Sequence, residues 1–166
     1  MTEVVKAGLE DYIEVYKLAG EIWEPTYREI LSKEQIEYMF EMMYSRDAYT
    51  RQITESGHNF LLLKEHGRSI AFASYQLDYN PGATKIHKLY LLPETQGRGI
   101  GKIFLAAIEE LALANGNDKI TLNVNRYNPA VHFYLSTGFV KVAEEDINIG
   151  NDYLMEDFVM EKSLRD

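Results

Sequence analysis

KLYLLPETQGRGIGKIFLAAIEELALANG, Lys88 to Gly116, is the stretch whose reading decides the fold. Lys88–Leu92 has the look of a strand end, and Pro93 stops it. Gly97, Gly99 and Gly101 follow within five residues, flanked by Arg98 and Lys102. Then Ile100, Ile103, Phe104, Ala107, Ile108 and Leu111 recur at three- and four-residue steps, the apolar stripe of an amphipathic helix, with Gly116 as its stop. KITLNVN (Lys119–Asn125) is the next strand signal. A strand over 83–92, a helix over 99–115 and a strand over 119–125 make a unit of about the length of a βαβ crossover. Crossovers make their two strands parallel neighbours.

The glycines stand where a strand has ended and a helix begins. The first helical turn has backbone N–H groups without internal partners, and the helix dipole adds positive potential there. Glycine removes side chains that would block close approach, and Arg98 and Lys102 add charge. The segment reads as a cradle for a phosphate or pyrophosphate. It is not a Walker loop, because Gln96 and Ile103 stand where that pattern needs Gly and Ser or Thr. It is not the dinucleotide fingerprint either, because Lys102 stands where the third glycine belongs.

Outward from this unit the patterns alternate. TEVVKA is a short first strand. LEDYIEVYKLAGEIW is an amphipathic helix through Leu9, Ile13, Tyr16, Ala19 and Trp23, closed by Pro25. SKEQIEYMFEMMYS opens with Ser32 and Gln35 at capping-box spacing and presents Ile36, Met39, Phe40, Met43 and Tyr44 on one face. HNFLLLKEHGRSIAFASYQL is two strands joined at Glu65-His66-Gly67-Arg68. NPAVHFYLSTG is a short helix with Asn128 as cap, Pro129 at its first position and Gly138 as terminator. FVKVAEE and DYLMEDFVMEK form a closing strand pair. The expected order is β-α-α-β-β-β-α-β-α-β-β: an α/β (α+β) fold with a mixed, mostly antiparallel sheet and helices on both faces, in one domain over 1–166. No repeat, low-complexity tract or Gly/Pro/Ser-rich linker divides it.

With 166 residues the chain is long enough for one sizeable core. The formal net charge of -9 and the absence of a basic run argue against nucleic acid as a partner. No apolar run reaches the roughly 20 residues of a membrane span, and the acidic start lacks a secretory pattern, so a cytoplasmic protein without a membrane partner is expected. With no cysteine there is no disulfide and no thiolate nucleophile or ligand. His58, His66 and His132 show no ligand spacing, and no metal is expected.

QGRGIG resembles the Q/R-x-x-G-x-G/A signature of the GNAT superfamily of N-acetyltransferases. NPAVHFYLSTGF resembles that family's second signature, and the element order agrees, so the resemblance spans nearly the whole chain. WEPTYREILSKEQ and GNDYLMEDFVMEKSL further resemble the PaiA-like polyamine acetyltransferases. What the resemblance implies is acetyl transfer from acetyl-coenzyme A, as co-substrate, to an amine. It places the pantetheine arm beside Tyr90, Leu91 and Leu92, where a backbone N–H could also face the thioester oxygen. It places the pyrophosphate on Gln96, Gly97, Arg98, Gly99, Ile100, Gly101 and Lys102. It makes Tyr134 the general acid, a phenol protonated at neutral pH that can donate to a departing thiolate. Asn128 stands six residues before Tyr134 rather than the family's seven, so it is open between a helix cap and a coenzyme contact, with Asn123 and Asn125 as competing donors.

Relatives often carry a Glu base on the strand before the glycine loop; here His87 or Lys88 takes that place, and His87 is the expected base. Glu24, Tyr27 and Glu29, between the first two helices, are the expected acceptor wall. The acceptor is expected to be a small cationic amine such as a polyamine. A protein or peptide N-terminus, and a non-catalytic acyl-coenzyme A-binding regulatory module, are the alternatives. Oligomeric state is left open, a homodimer included.

Overall fold

In the computed structural model, which describes residues 1–165, the elements run β1 (Thr2–Ala7), α1 (Tyr12–Tyr27), α2 (Lys33–Tyr44), α3 (Arg46–Thr54), β2 (Asn59–Glu65), β3 (Arg68–Asn80), β4 (Ala83–Leu91), α4 (Ile100–Ala114), β5 (Lys119–Asn125), α5 (Ala130–Ser136), β6 (Val140–Asn148) and β7 (Leu154–Ser163). The strands hydrogen-bond in the order β1-β2-β3-β4-β5-β7-β6. β4 and β5 pair in parallel, as the crossover through α4 requires. The β1–β2, β2–β3, β5–β7 and β6–β7 pairs are antiparallel. The mixed, mostly antiparallel α/β class is thus the observed one. The chain divides into two compact units, residues 1–76 with 87–108 and residues 77–86 with 109 onward.

The first unit is built on aromatic side chains. Trp23 donates its indole N–H to the Tyr44 hydroxyl at 2.9 Å, and its ring meets Tyr27 at 4.7 Å. Tyr44 packs edge-on to Phe72, and Tyr49 meets Phe60 at 4.7 Å. The hydroxyls of Tyr12 and Tyr49 donate to the carbonyls of Tyr44 and Gly8, so these two rings are packed in without stranding their hydroxyls. At the β2–β3 turn His66 and Gly67 have φ of 53° and 78°, the pair of left-handed residues that a two-residue hairpin demands.

The second unit carries β5, β7 and β6 with α5. Ile120, Leu122 and Met160 are buried, and Tyr134 packs against Phe139 at 5.4 Å. A polar clasp closes the end of α4: Asn117 accepts from Thr84 Oγ1 at 2.6 Å and from the Asp78 N–H, and donates to the Asp78 carboxylate at 2.7 Å. Most of β6 is exposed.

The structure differs from the sequence reading in four places. Ser45 ends α2 and caps α3 in the same residue, its hydroxyl accepting from Ala48 N–H, so a helix follows where the sequence reading placed none. Pro25 does not close α1. It costs one amide bond, while Thr26 donates its hydroxyl to the Ile22 carbonyl and Arg28 N–H reaches Glu24, so the helix runs to Tyr27. The buried face of α1 is Tyr12, Val15, Leu18, Ala19, Ile22 and Trp23, whereas Leu9, Ile13 and Tyr16 are exposed. α5 begins at Ala130, one residue later than expected, because Asn128 Oδ1 takes the Ala130 N–H and leaves Pro129 in the cap position.

Candidate active site

In the first unit, β4 ends in a tight turn at Pro93–Thr95, where the buried Thr95 donates its hydroxyl to Leu92 O. Gln96, Gly97, Arg98 and Gly99 are exposed, and Ile100 is buried at the first position of α4. Gly97 and Gly99 have φ of 82° and 79°, which a side chain disfavours, and a Cβ at either would meet no heavy atom within 4 Å. The loop therefore lies open at the N-terminus of a fifteen-residue helix. This is the geometry an anion such as a pyrophosphate fits. Lys102 is exposed on the first turn. Arg98 is bound to Glu65 of β2 at 2.5 Å, and that guanidinium holds the Glu65 carboxyl below its ordinary range.

Just past β4, Leu92 donates its N–H to the carbonyl of Ile70 on β3 at 2.9 Å, so that amide is already engaged. Tyr90 and Tyr27 share a hydroxyl hydrogen bond of 2.9 Å, which brings together one residue expected on the coenzyme strand and one expected on the acceptor wall. Leu91 is half-buried. Glu24 pairs with Arg28 at 2.5 Å, and Glu29 is exposed. A groove of about 390 Å³ is lined by residues of α1 and α2, among them Trp23, Ile36, Phe40, Glu24, Glu37 and Glu41. Glu37 pairs with Lys33, while Glu41 makes no ion pair among the described residues.

The imidazole of His87 stacks on His58, ring centres 3.9 Å apart, and its Nε2 lies 2.9 Å from Gln76 Oε1. Next to it, Lys88 is buried. Its ammonium donates to Gln52 Oε1 at 3.1 Å and lies over the rings of Phe60 and Tyr44, and burial pushes its pKa down to about 8.

In the second unit, Tyr134 is buried on α5 between Phe133 and Phe139. Asn125 Oδ1 accepts from Tyr127 N–H and Asn128 Oδ1 from Ala130 N–H, so both asparagine oxygens stabilise local turns. Asn123 instead donates to Asp157 of β7. The sequence reading passed over Asp157. Its trace is a charge within LMEDFVMEK, at a position alternating with Met155 and Val159. Among the described residues no three His, Asp or Glu side chains converge as metal ligands, and no helix is long and apolar enough to cross a membrane.

The model of the acetyltransferase (GNAT) domain matches residues 27–155. A spermidine N(1)-acetyltransferase of Thermoplasma acidophilum is 31% identical over 157 residues, 93% of this chain and 95% of that one. The crystal structure of the PaiA N-acetyltransferase of Thermoplasma acidophilum in complex with coenzyme A superposes with a TM-score of 0.81 at 28% identity, covering 98% of this chain and 99% of that chain. A GNAT-fold structure from Rhodopseudomonas palustris superposes with a TM-score of 0.82 at 23% identity, over 99% and 96% of the two chains.

Proposed function

The chain belongs to the GNAT acetyltransferase family, and from that premise we propose that it transfers the acetyl group of acetyl-coenzyme A to a primary amine of a small polyamine such as spermidine. The observation that carries the acceptor is the likeness, over 93% of the chain, to a spermidine N(1)-acetyltransferase. The net charge of -9 and the α1–α2 groove support it, because Trp23 and Phe40 offer apolar surface to a methylene chain while Glu41 offers a carboxylate to an ammonium.

Acetyl-coenzyme A, when bound, supplies the acyl group as a thioester. In this reading the backbone N–H groups at Gly99–Lys102 and the cation of Lys102 hold its pyrophosphate, and Gly97 and Gly99 keep the approach clear. The backbone of Tyr90 and Leu91 aligns the pantetheine arm. Tyr134 keeps its phenolic proton at neutral pH and gives it to the leaving sulfur. Asn128 accepts the Ala130 N–H and so holds the turn that leads into the helix carrying Tyr134.

The test is an amine panel read by thiol release: spermidine, a monoamine of matched length, and a peptide with a free N-terminus, each at about 50 and 500 mM salt. Spermidine is expected to give the highest kcat/KM, with a lead that shrinks at high salt, because exposed charges act over about a Debye length of 8–10 Å. A peptide that wins at both salt levels replaces the polyamine reading.

A further inference from the structure

β5 pairs in parallel with β4 over Lys119–Leu122 against Ala83–Ile86, and its residues Asn123–Asn125 pair with β7. Residues directly opposite in adjacent strands share a face. Asn125 stands opposite Asp157, and Glu145 of β6 opposite Asp157 on its other side, while Thr121 stands opposite Lys85. Lys85, Thr121, Asn123, Asn125, Asp157 and Glu145 therefore lie on one face, a polar strip.

Asp157 is 3% exposed. Among the described residues its carboxylate receives one hydrogen bond, from Asn123 Nδ2 to Oδ2 at 3.3 Å, and Oδ1 receives none. An ionised carboxylate has about four acceptor positions and is costly to bury short of partners. The cations nearby are committed elsewhere. Arg126 turns its guanidinium to Glu145 O, Glu144 and Asp146, and meets only the backbone carbonyl of Asp157. Lys85 lies on the ring and hydroxyl of Tyr79, and Lys119 pairs with Glu161. Among the described residues, this buried carboxylate thus forms no ion pair.

We propose that Asp157 is the residue that receives the acceptor amine: its carboxylate binds the primary ammonium and takes its proton, while Asn123 holds Oδ2 in place. This rests on the reading of the chain as an amine acetyltransferase. The ammonium gives a proton to the carboxylate and becomes a neutral amine. Its lone pair forms the C–N bond to the acetyl carbon, the C–S bond breaks, the thiolate takes a proton from Tyr134, the second proton of the nitrogen restores the Tyr134 phenol, and the Asp157 proton passes to solvent. The groups around the carboxyl agree with such a role. Burial raises its pKa, the Asn123 hydrogen bond lowers it, Glu145 raises it further, and Lys85 and Arg126 lower it, for a net upward shift. A base is most useful when its pKa is drawn toward the working pH.

Asp157→Asn keeps shape and the neighbourhood of Asn123 while removing the base. It is measured against wild type on whichever amine of the panel wild type acetylates, so a wrong acceptor class appears in the wild-type panel and a wrong role for Asp157 appears in the ratio. The expected result is a fall in kcat/KM of about 10²–10⁴-fold. The acidic limb of the pH profile disappears, and coenzyme A gives the same thermal shift as with wild type. Asp157→Glu, which keeps a carboxylate, is expected to recover part of the rate and to restore the limb. A kcat/KM for Asp157→Asn within threefold of wild type, or an unaltered acidic limb, overturns the proposal. So does a loss matched by a lower Tm and a lost coenzyme A shift in both variants, because that result makes Asp157 structural.

Discussion

Among the described residues, Lys88 and Asp157 are the charged side chains that the fold buries. Lys88 has a pKa near 8 against about 10.5 in the unfolded chain, because burial disfavours its charged form. The folded state thus binds fewer protons than the unfolded one between those values, so Lys88 makes stability rise with pH from about 8 to 10.5. Below pH 8 both states hold the proton and the desolvation cost is borne in full, on the order of 3 kcal/mol before the Gln52 bond and the two ring contacts offset part of it. Lys88→Met is expected to raise Tm at pH 7 by a few degrees and to flatten that rise, as followed by thermal melts across pH 7–10.5. Tyr134→Phe is expected to lower kcat by about 10²–10⁴-fold with little change in coenzyme affinity; an unchanged rate for the chemical step would leave Tyr134 as a packing residue against Phe139. Tyr134 and the glycines stand out in the sequence because a motif carries them. Asp157 does not, because one carboxylate in an acidic chain says nothing of burial until β5 and β6 are placed on either side of β7.

The glycine loop and α4 form the element that the sequence described most fully, since positive φ and an apolar stripe each leave a local trace. Gly99→Glu would strain a φ of 79° and set a carboxylate in the anion cradle. It is expected to abolish the coenzyme A thermal shift while the helix itself persists, which calorimetry with and without ligand can check. Arg98, expected to add charge to the cradle, also pairs with Glu65. A tertiary ion pair of this kind, 33 residues apart, has no sequence signature. α3 had one that was missed: Ser45 precedes Ala48 and Tyr49 at cap spacing, hidden by the end of α2 at the same residue. Ser45→Ala removes one hydroxyl that serves this cap, and a loss of about 1 kcal/mol, or about 2–4 °C in Tm, is expected. In α1 the error was one of phase. Two apolar stripes coexist, and the buried one is decided by Trp23 and Tyr12 meeting Tyr44.

At the scale of the whole molecule, the fold class and the parallel β4–β5 pair followed from the crossover and hairpin signals, whereas the placing of β7 between β5 and β6 did not, and the division into two compact units crosses β3, β4 and α4 and leaves no break in composition to read. Coenzyme A or acetyl-coenzyme A is expected to raise Tm by mass action, about 2.7 kcal/mol of added stability at a hundredfold excess over Kd. Absence of any shift at millimolar ligand would remove the acetyltransferase reading at its base. The chain has a single tryptophan, and Trp23 is buried in the first unit with its indole N–H on the Tyr44 hydroxyl. Its fluorescence is therefore a built-in optical label for that unit alone, quiet about the second. Ultraviolet circular dichroism sees the backbone of both. Coincident midpoints by the two signals would mean that the units melt as one cooperative body, and an emission change that leads or trails the dichroism would time the opening of the coenzyme-loop unit separately from the unit that carries Tyr134 and Asp157.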